Sequence, residues 1–222
     1  MKAKKTPFYI LIIYIVMQVS SIVFLRPLYH YFKEANPQFT QQQLALHTQG
    51  WYMFISMLVA IVLSFVFIAR DKSFFSNYKE KLPLSQTILW GALGFVLVLA
   101  GQMIGSMIET LIGIEGGSDN TASLLNIVTA VPIAALSIAL FGPILEELVF
   151  RRVIFGSLKQ VTSFWLSALV SAMFFALLHN DIKHILLYAI TGFILAFLYN
   201  KTGRILAPII AHVLLNTFVL FI

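Results

Sequence analysis

The sequence predicts an all-α, polytopic membrane protein: a bundle of about seven transmembrane helices forming a single membrane domain over residues 1–222. Three observations carry that reading. Of 222 residues 59% are hydrophobic and 11% charged, whereas soluble domains run near half apolar and a quarter charged. The apolar residues come in runs long enough to cross a bilayer, which needs about 20 residues of helix. The fifteen Lys and Arg residues lie mostly between those runs, and unevenly.

Taken in order, a basic start (Lys2, Lys4, Lys5) precedes an apolar run from Phe8 to Leu25. That run is too long for a signal peptide and lacks a small-x-small cleavage site after it, so it is expected to span. Arg26–Gly50, with Pro27, Pro37 and a Gln41-Gln42-Gln43 tract, is expected to be a polar connection. Trp51–Ala69 is the second span, and Arg70–Ser85 a charged loop. Gln86–Gly113 is the third span, whose Gly101 and Gly105 form a small-xxx-small face for close helix approach. Ile114–Ala122 is a short acidic loop with Glu115 and Asp119. An apolar segment from Leu124 to Leu158 follows, broken by Pro132 and by Gly142-Pro143. Its first part, near 124–141, reads as an interfacial or re-entrant piece, an eighth segment if counted. The last spans cover about Phe164–His179, His184–Asn200 and Ile205–Ile222.

Seven spans with a cytoplasmic N-terminus place twelve basic residues inside: Lys2, Lys4, Lys5, Arg70, Lys72, Lys79, Lys81, Arg151, Arg152, Lys159, Lys201 and Arg204. Only Arg26, Lys33 and Lys183 fall outside, the asymmetry that orients membrane proteins. The same placement explains the net charge of +6 without a nucleic-acid partner; the expected surroundings are a lipid bilayer. The chain has no cysteine, which excludes disulfides, thiolate metal ligands and a cysteine nucleophile.

The stretch Phe141–Arg152, FGPILEELVFRR, sets two carboxylates and two guanidiniums beside an apolar run. An ionisable side chain in a membrane segment costs about 2.5–3.5 kcal/mol on insertion scales and marks a functional site by default. Glu147 and Arg151 are four apart, in the favourable acid-then-base order, so they read as a structural pair. Glu146 is turned about 100° away and stays free for other work. Gly142 and Pro143 are expected to kink the helix or start it afresh. Arg152 reads as an interfacial anchor, Glu109 as interfacial and His184 as structural.

The turn between the fourth and fifth spans falls near Gln160–Ser163. Glu146 and His179 each stand roughly 22–25 Å along their helices from it, so an antiparallel hairpin brings them to one depth. His212 and Asn216 are four apart on one face of the last span. A carboxylate, two imidazoles and a carboxamide inside a helical bundle suit hydrolysis: a Glu beside a His deprotonates water, and a His–Asn pair donates to an oxyanion. The alternative is a divalent metal, zinc, held by Glu146, His179 and His212 with a fourth position open.

EExxxR (Glu146, Glu147, Arg151), FxxxH (Phe175, His179) and HxxxN (His212, Asn216), in that order and each in its own apolar segment, resemble the CAAX-processing and bacteriocin-processing family, also called Abi or CPBP. These are intramembrane endopeptidases, and the resemblance covers a catalytic core of about 124–222. It implies that Glu146 and His179 activate water, that His212 and Asn216 stabilise the oxyanion, that Glu147 and Arg151 order the motif helix, and that Phe175 packs the site. It also implies a multi-pass bacterial cell-membrane enzyme acting on membrane-embedded or membrane-associated peptides or proteins. Members have been described as metalloproteases and as metal-free glutamate proteases; the absence of a separate metal motif favours the second, with no cofactor. The rival readings are a catalytically silent scaffold or immunity factor of the same fold and a proton-coupled transporter.

Overall fold

A computed structural model describes residues 5–76, 78, 80–114 and 116–221. Lys2, Lys4, Lys79 and Glu115, used in the topology and loop assignments, lie outside the described residues. Among the described residues there is no strand; helices follow one another in the order α1 (Thr6–Val19), α2 (Ser21–Ala35), α3 (Gln41–Ala69), α4 (Leu84–Leu111), α5 (Asp119–Ala130), α6 (134–158), α7 (Phe164–Leu178), α8 (Ile185–Thr202) and α9 (Leu206–Phe221).

The polar connection expected over Arg26–Gly50 is mostly helix. α2 carries Pro27 within it and runs to Ala35. α3 starts ten residues before Trp51, because Thr40 and Gln43 form a reciprocal capping box: Gln43 N–H donates to Thr40 Oγ1 at 3.2 Å, and Thr40 N–H to Gln43 Oε1 at 2.9 Å. That T-x-x-Q start signal was legible in the sequence. The first apolar run is bent by 45° between α1 and α2, at Ser20, whose hydroxyl lies 2.7 Å from that of Tyr52.

α4 is the central post. It packs on α8 and α9 through a ridge of glycines longer than the two expected. A Cβ on Gly105 would lie 2.7 Å from Leu187 Cδ2, and one on Gly91 would lie 2.7 Å from Ile210 Cβ, so these backbones meet at a distance only glycine allows. α7 and α8 approach equally closely, since a Cβ on Gly192 would meet Ala172 Cα at 2.9 Å.

α6 differs from expectation. Gly142 and Pro143 do not restart it; the helix continues through π-helical turns at Ser137–Phe141 and Glu147–Phe155. Gly142 N–H bonds to Ser137 C=O, five residues back, the widened ladder that defines a π turn. Arg152 is also not an interfacial anchor. It is 4% exposed, its Nε–H donates to the Phe74 carbonyl, and its guanidinium sits 4.4 Å from the Phe74 ring centre, so it clamps the 70–83 loop to the bundle.

By length and composition α3, α4 and α8 can each cross a membrane, and α1 with α2 makes a fourth crossing if the bent pair is one span. That is fewer than the seven expected, because α7 and α9 have only 15 and 16 residues and α6 carries the charged cluster. The polytopic helical membrane bundle stands on this architecture.

Candidate functional site

The motif residues are set by α6, α7 and α9. On α6 the backbone presents Glu146 and Glu147 in succession, and the two carboxylates reach the same imidazole. Glu147 Oε1 accepts from His212 Nδ1 at 2.9 Å, while Glu146 Oε2 lies 3.7 Å from His212 Nε2. Glu147 is completely buried, whereas the Glu146 side chain keeps 19% of its surface open. A carboxylate can only accept, so His212 carries a proton on Nδ1. Its Nε2 is thereby turned to Glu146 and the cavity.

Arg151 neutralises Glu147 as the spacing suggested, with Nε 3.1 Å from Oε2. The alignment is that of an ion pair and not of a hydrogen bond, and the three guanidinium nitrogens have no hydrogen-bond acceptor among the described residues. The guanidinium plane instead rests 4.4 Å from the centre of the Phe175 ring. Phe175, itself 1% exposed, also touches both imidazoles, with ring centres 4.6 Å from His179 and 5.6 Å from His212. One buried phenyl thus spaces the guanidinium and both histidines.

His179 closes α7 as its C-cap, and Asn180 follows with φ 51°, the left-handed turn that Asn tolerates. His179 Nδ1 lies 2.8 Å from the Phe175 carbonyl oxygen. A carbonyl cannot donate, so this nitrogen too carries the proton and Nε2 is left for chemistry. One ring face is stacked on Tyr188, with centres 4.1 Å apart and planes at 27°.

Asn216 has a structural task that was not expected. In a π turn the N–H of residue 143 would serve the carbonyl of Ile138, but Pro143 has none. Asn216 Nδ2 donates to that carbonyl at 2.9 Å, which ties α9 to the motif helix. A carboxamide nitrogen has two hydrogens, so one remains. Asn216, His179, His212 and Phe175 line one cavity of about 210 Å³, with Gln102 and Thr191 also in its lining.

Among the described residues no three of His, Asp and Glu are grouped to hold an ion. Glu109 is not interfacial either. It is 3% exposed and its Oε2 lies 2.8 Å from His184 Nδ1, a buried pair joining α4 to the start of α8. Sequence reasoning missed that pair, the Glu147–His212 bond and Tyr188, since none of them is spaced along one helix.

A family model described as type II CAAX prenyl endopeptidase, Rce1-like, matches residues 128–218, which include all three motifs. A putative membrane peptidase of Bacillus subtilis (strain 168), YdiL, is 37% identical over 217 residues, covering 97% of this chain and 88% of that protein. The membrane-embedded CAAX protease MroQ of Staphylococcus aureus (strain USA300) is 41% identical over 146 residues, 63% of this chain and 59% of that one. The UPF0177 protein YxdF of Lactococcus lactis subsp. lactis (strain IL1403) is 29% identical over 167 residues, 73% and 90% of the two chains. No solved structure matches the chain.

Proposed function

Since this chain belongs to the Rce1-like CAAX endopeptidase family of membrane peptidases, we propose that it is an intramembrane endopeptidase that hydrolyses membrane-embedded or membrane-associated peptides with water activated by Glu146 and His179. One observation carries the reading: His212 is held at Nδ1 by the buried Glu147 while its Nε2 faces the partly open Glu146. Glu146, beside the cavity-lining His212, takes one proton of a water whose other hydrogen is held by Nε2 of His179. As that water adds to the scissile carbonyl, its proton passes from Glu146 to His212 Nε2, 3.7 Å away, and the oxyanion receives that N–H and the second N–H of Asn216. The proton taken from water then leaves with the amine. Glu147 and Arg151 do not touch substrate; they orient His212.

The proposal includes a metal-free mechanism, supported by the finding that among the described residues no three of His, Asp and Glu are grouped to hold an ion. It also includes a bacterial cell-membrane location with the N-terminus in the cytoplasm, and seven crossings in which the short α7 and α9 each traverse a locally thinned bilayer.

The test is cleavage of a membrane-peptide library by purified protein in proteoliposomes, wild type against Glu146→Gln, with zinc measured in the same preparation. Cleavage by wild type, its loss in Glu146→Gln at unchanged stability, and insensitivity to phenanthroline are expected. Stoichiometric zinc that disappears in His212→Ala, with chelator inhibition reversed by zinc, would overturn the metal-free mechanism. Equal cleavage by both proteins would overturn the assignment of Glu146.

A further inference from the structure

The site has a neighbour that no motif contains. Tyr188 of α8 stacks on His179, and its hydroxyl is held by Ser118 and Asn120, which line the same cavity. Ser118 Oγ donates to Asp181 Oδ2 at 2.7 Å, and lies 3.1 Å from the Tyr188 hydroxyl. Asn120 Nδ2 donates to the same hydroxyl at 3.3 Å, and Thr121 N–H donates to Ser118 Oγ at 3.2 Å.

Proton counting orders this network. Ser118 has one hydrogen, and the Asp181 carboxylate takes it. Tyr188 must then donate its own hydrogen to Ser118 Oγ, leaving the phenol oxygen to accept from Asn120. Ser118 thereby uses its one hydrogen and both lone pairs. The chain Asn120 to Tyr188 to Ser118 to Asp181 is directional and ends on a carboxylate, so each bond polarises the next. Ser118 is the N-cap of α5, and Asp181 follows His179 by two residues. The start of α5, the turn after α7 and the first turns of α8 are thus fastened at one point.

Apart from Tyr188, His179 is held among the described residues by its Nδ1 bond to the Phe175 carbonyl and by the tilted Phe175 ring, both of its own helix. Those contacts leave the ring free to rock about its attachment, and His179 stands at a helix end, partly exposed. The face-on Tyr188 removes that freedom.

We propose that Tyr188 is a positioning residue, which, clamped by Ser118, Asn120 and Asp181, fixes the plane of the His179 imidazole so that Nε2 points into the cavity. The inference rests on the reading of His179 as water-activating for its catalytic consequence, but the geometry it asserts is measurable without any substrate. The same clamp lies between the cavity and an outer polar recess lined by Asp119, Asn180 and Lys183, with His179 and Asn120 facing both. It therefore also sets the width of the aqueous approach to Nε2.

The experiment uses the full chain with isotopically labelled histidine in lipid nanodiscs. The five histidines are assigned by single substitutions to Gln. In wild type the His179 ring protons are expected upfield, shielded by the Tyr188 ring. Tyr188→Phe keeps the ring but cuts its hydroxyl out of the clamp and, like Ser118→Ala, should weaken that shift; Tyr188→Leu should lose it. On the peptide library, Tyr188→Leu should lower kcat about 10- to 100-fold, the scale of a displaced catalytic group, with KM little changed and with activity only partly restored in Tyr188→Phe, which has the ring without its clamp. A merely structural role predicts lower thermal stability with kcat intact. Unmoved His179 resonances in Tyr188→Leu, or an unaltered kcat in that folded variant, would overturn the proposal. A wild type that cleaves nothing while the shift behaves as described would instead count against the peptidase reading and leave the positioning geometry standing.

Discussion

Replacing Glu147 by Gln tests the division of labour between the adjacent glutamates. Glu147 is fully buried, with Arg151 Nε 3.1 Å from one oxygen and His212 Nδ1 2.9 Å from the other. The substitution keeps the shape and removes the charge. Arg151, also fully buried and without other acceptors among the described residues, is then an uncompensated cation. Breaking a buried pair from one side costs about 3–5 kcal/mol. At about 2–4 °C per kcal/mol for a chain of this size, Tm should fall by about 6–20 °C. Glu146→Gln removes a charge 3.7 Å from His212, on a side chain that keeps 19% of its surface and, among the described residues, forms no ion pair with a guanidinium. It should leave Tm within about 2 °C, below 1 kcal/mol on the same scale. Removing both partners, as in Glu147→Gln with Arg151→Met, should recover most of the loss, because an apolar replacement of a buried pair is often neutral. The assay is thermal unfolding in detergent followed by tryptophan fluorescence, with Trp51, Trp90 and Trp165 as reporters. A Glu147→Gln protein as stable as wild type, or a double variant no better than the single one, would refute the argument.

Asn216→Ala orphans the Ile138 carbonyl and should cost about 1–3 kcal/mol; in a Pro143→Ala background, which returns an N–H at that position, the cost should shrink, and a double-mutant cycle by thermal unfolding measures the coupling. Gly192→Val should abolish the monodisperse folded protein on size-exclusion chromatography, since a Cβ there would meet the Ala172 backbone at 2.9 Å, while Gly117→Ala, with open space around it, should elute as wild type. Reporter fusions should place Gly117 outside the cell and Ser76 in the cytoplasm; the reverse pattern would invert the orientation drawn from the basic residues.

Several features of this chain were legible from neighbours a few residues apart. Hydropathy marked the bundle, and four-residue spacing paired Glu147 with Arg151. The helical start at Thr40 and the carbonyl left vacant by Pro143 were local facts as well, since a capping box and a missing N–H depend on the chain within one or two turns. What only the tertiary structure decided lies between helices. That Glu147 also holds His212, 65 residues on, that Asn216 supplies the hydrogen Pro143 lacks, that Glu109 meets His184, and that Tyr188 lies flat on His179 all depend on which faces of α4, α6, α7, α8 and α9 are pressed together. Helical periodicity assigns a residue to a face. It does not say which other helix covers that face or at what height, because that is set by packing at glycine-lined contacts and by the π turns that rotate α6 off a regular register.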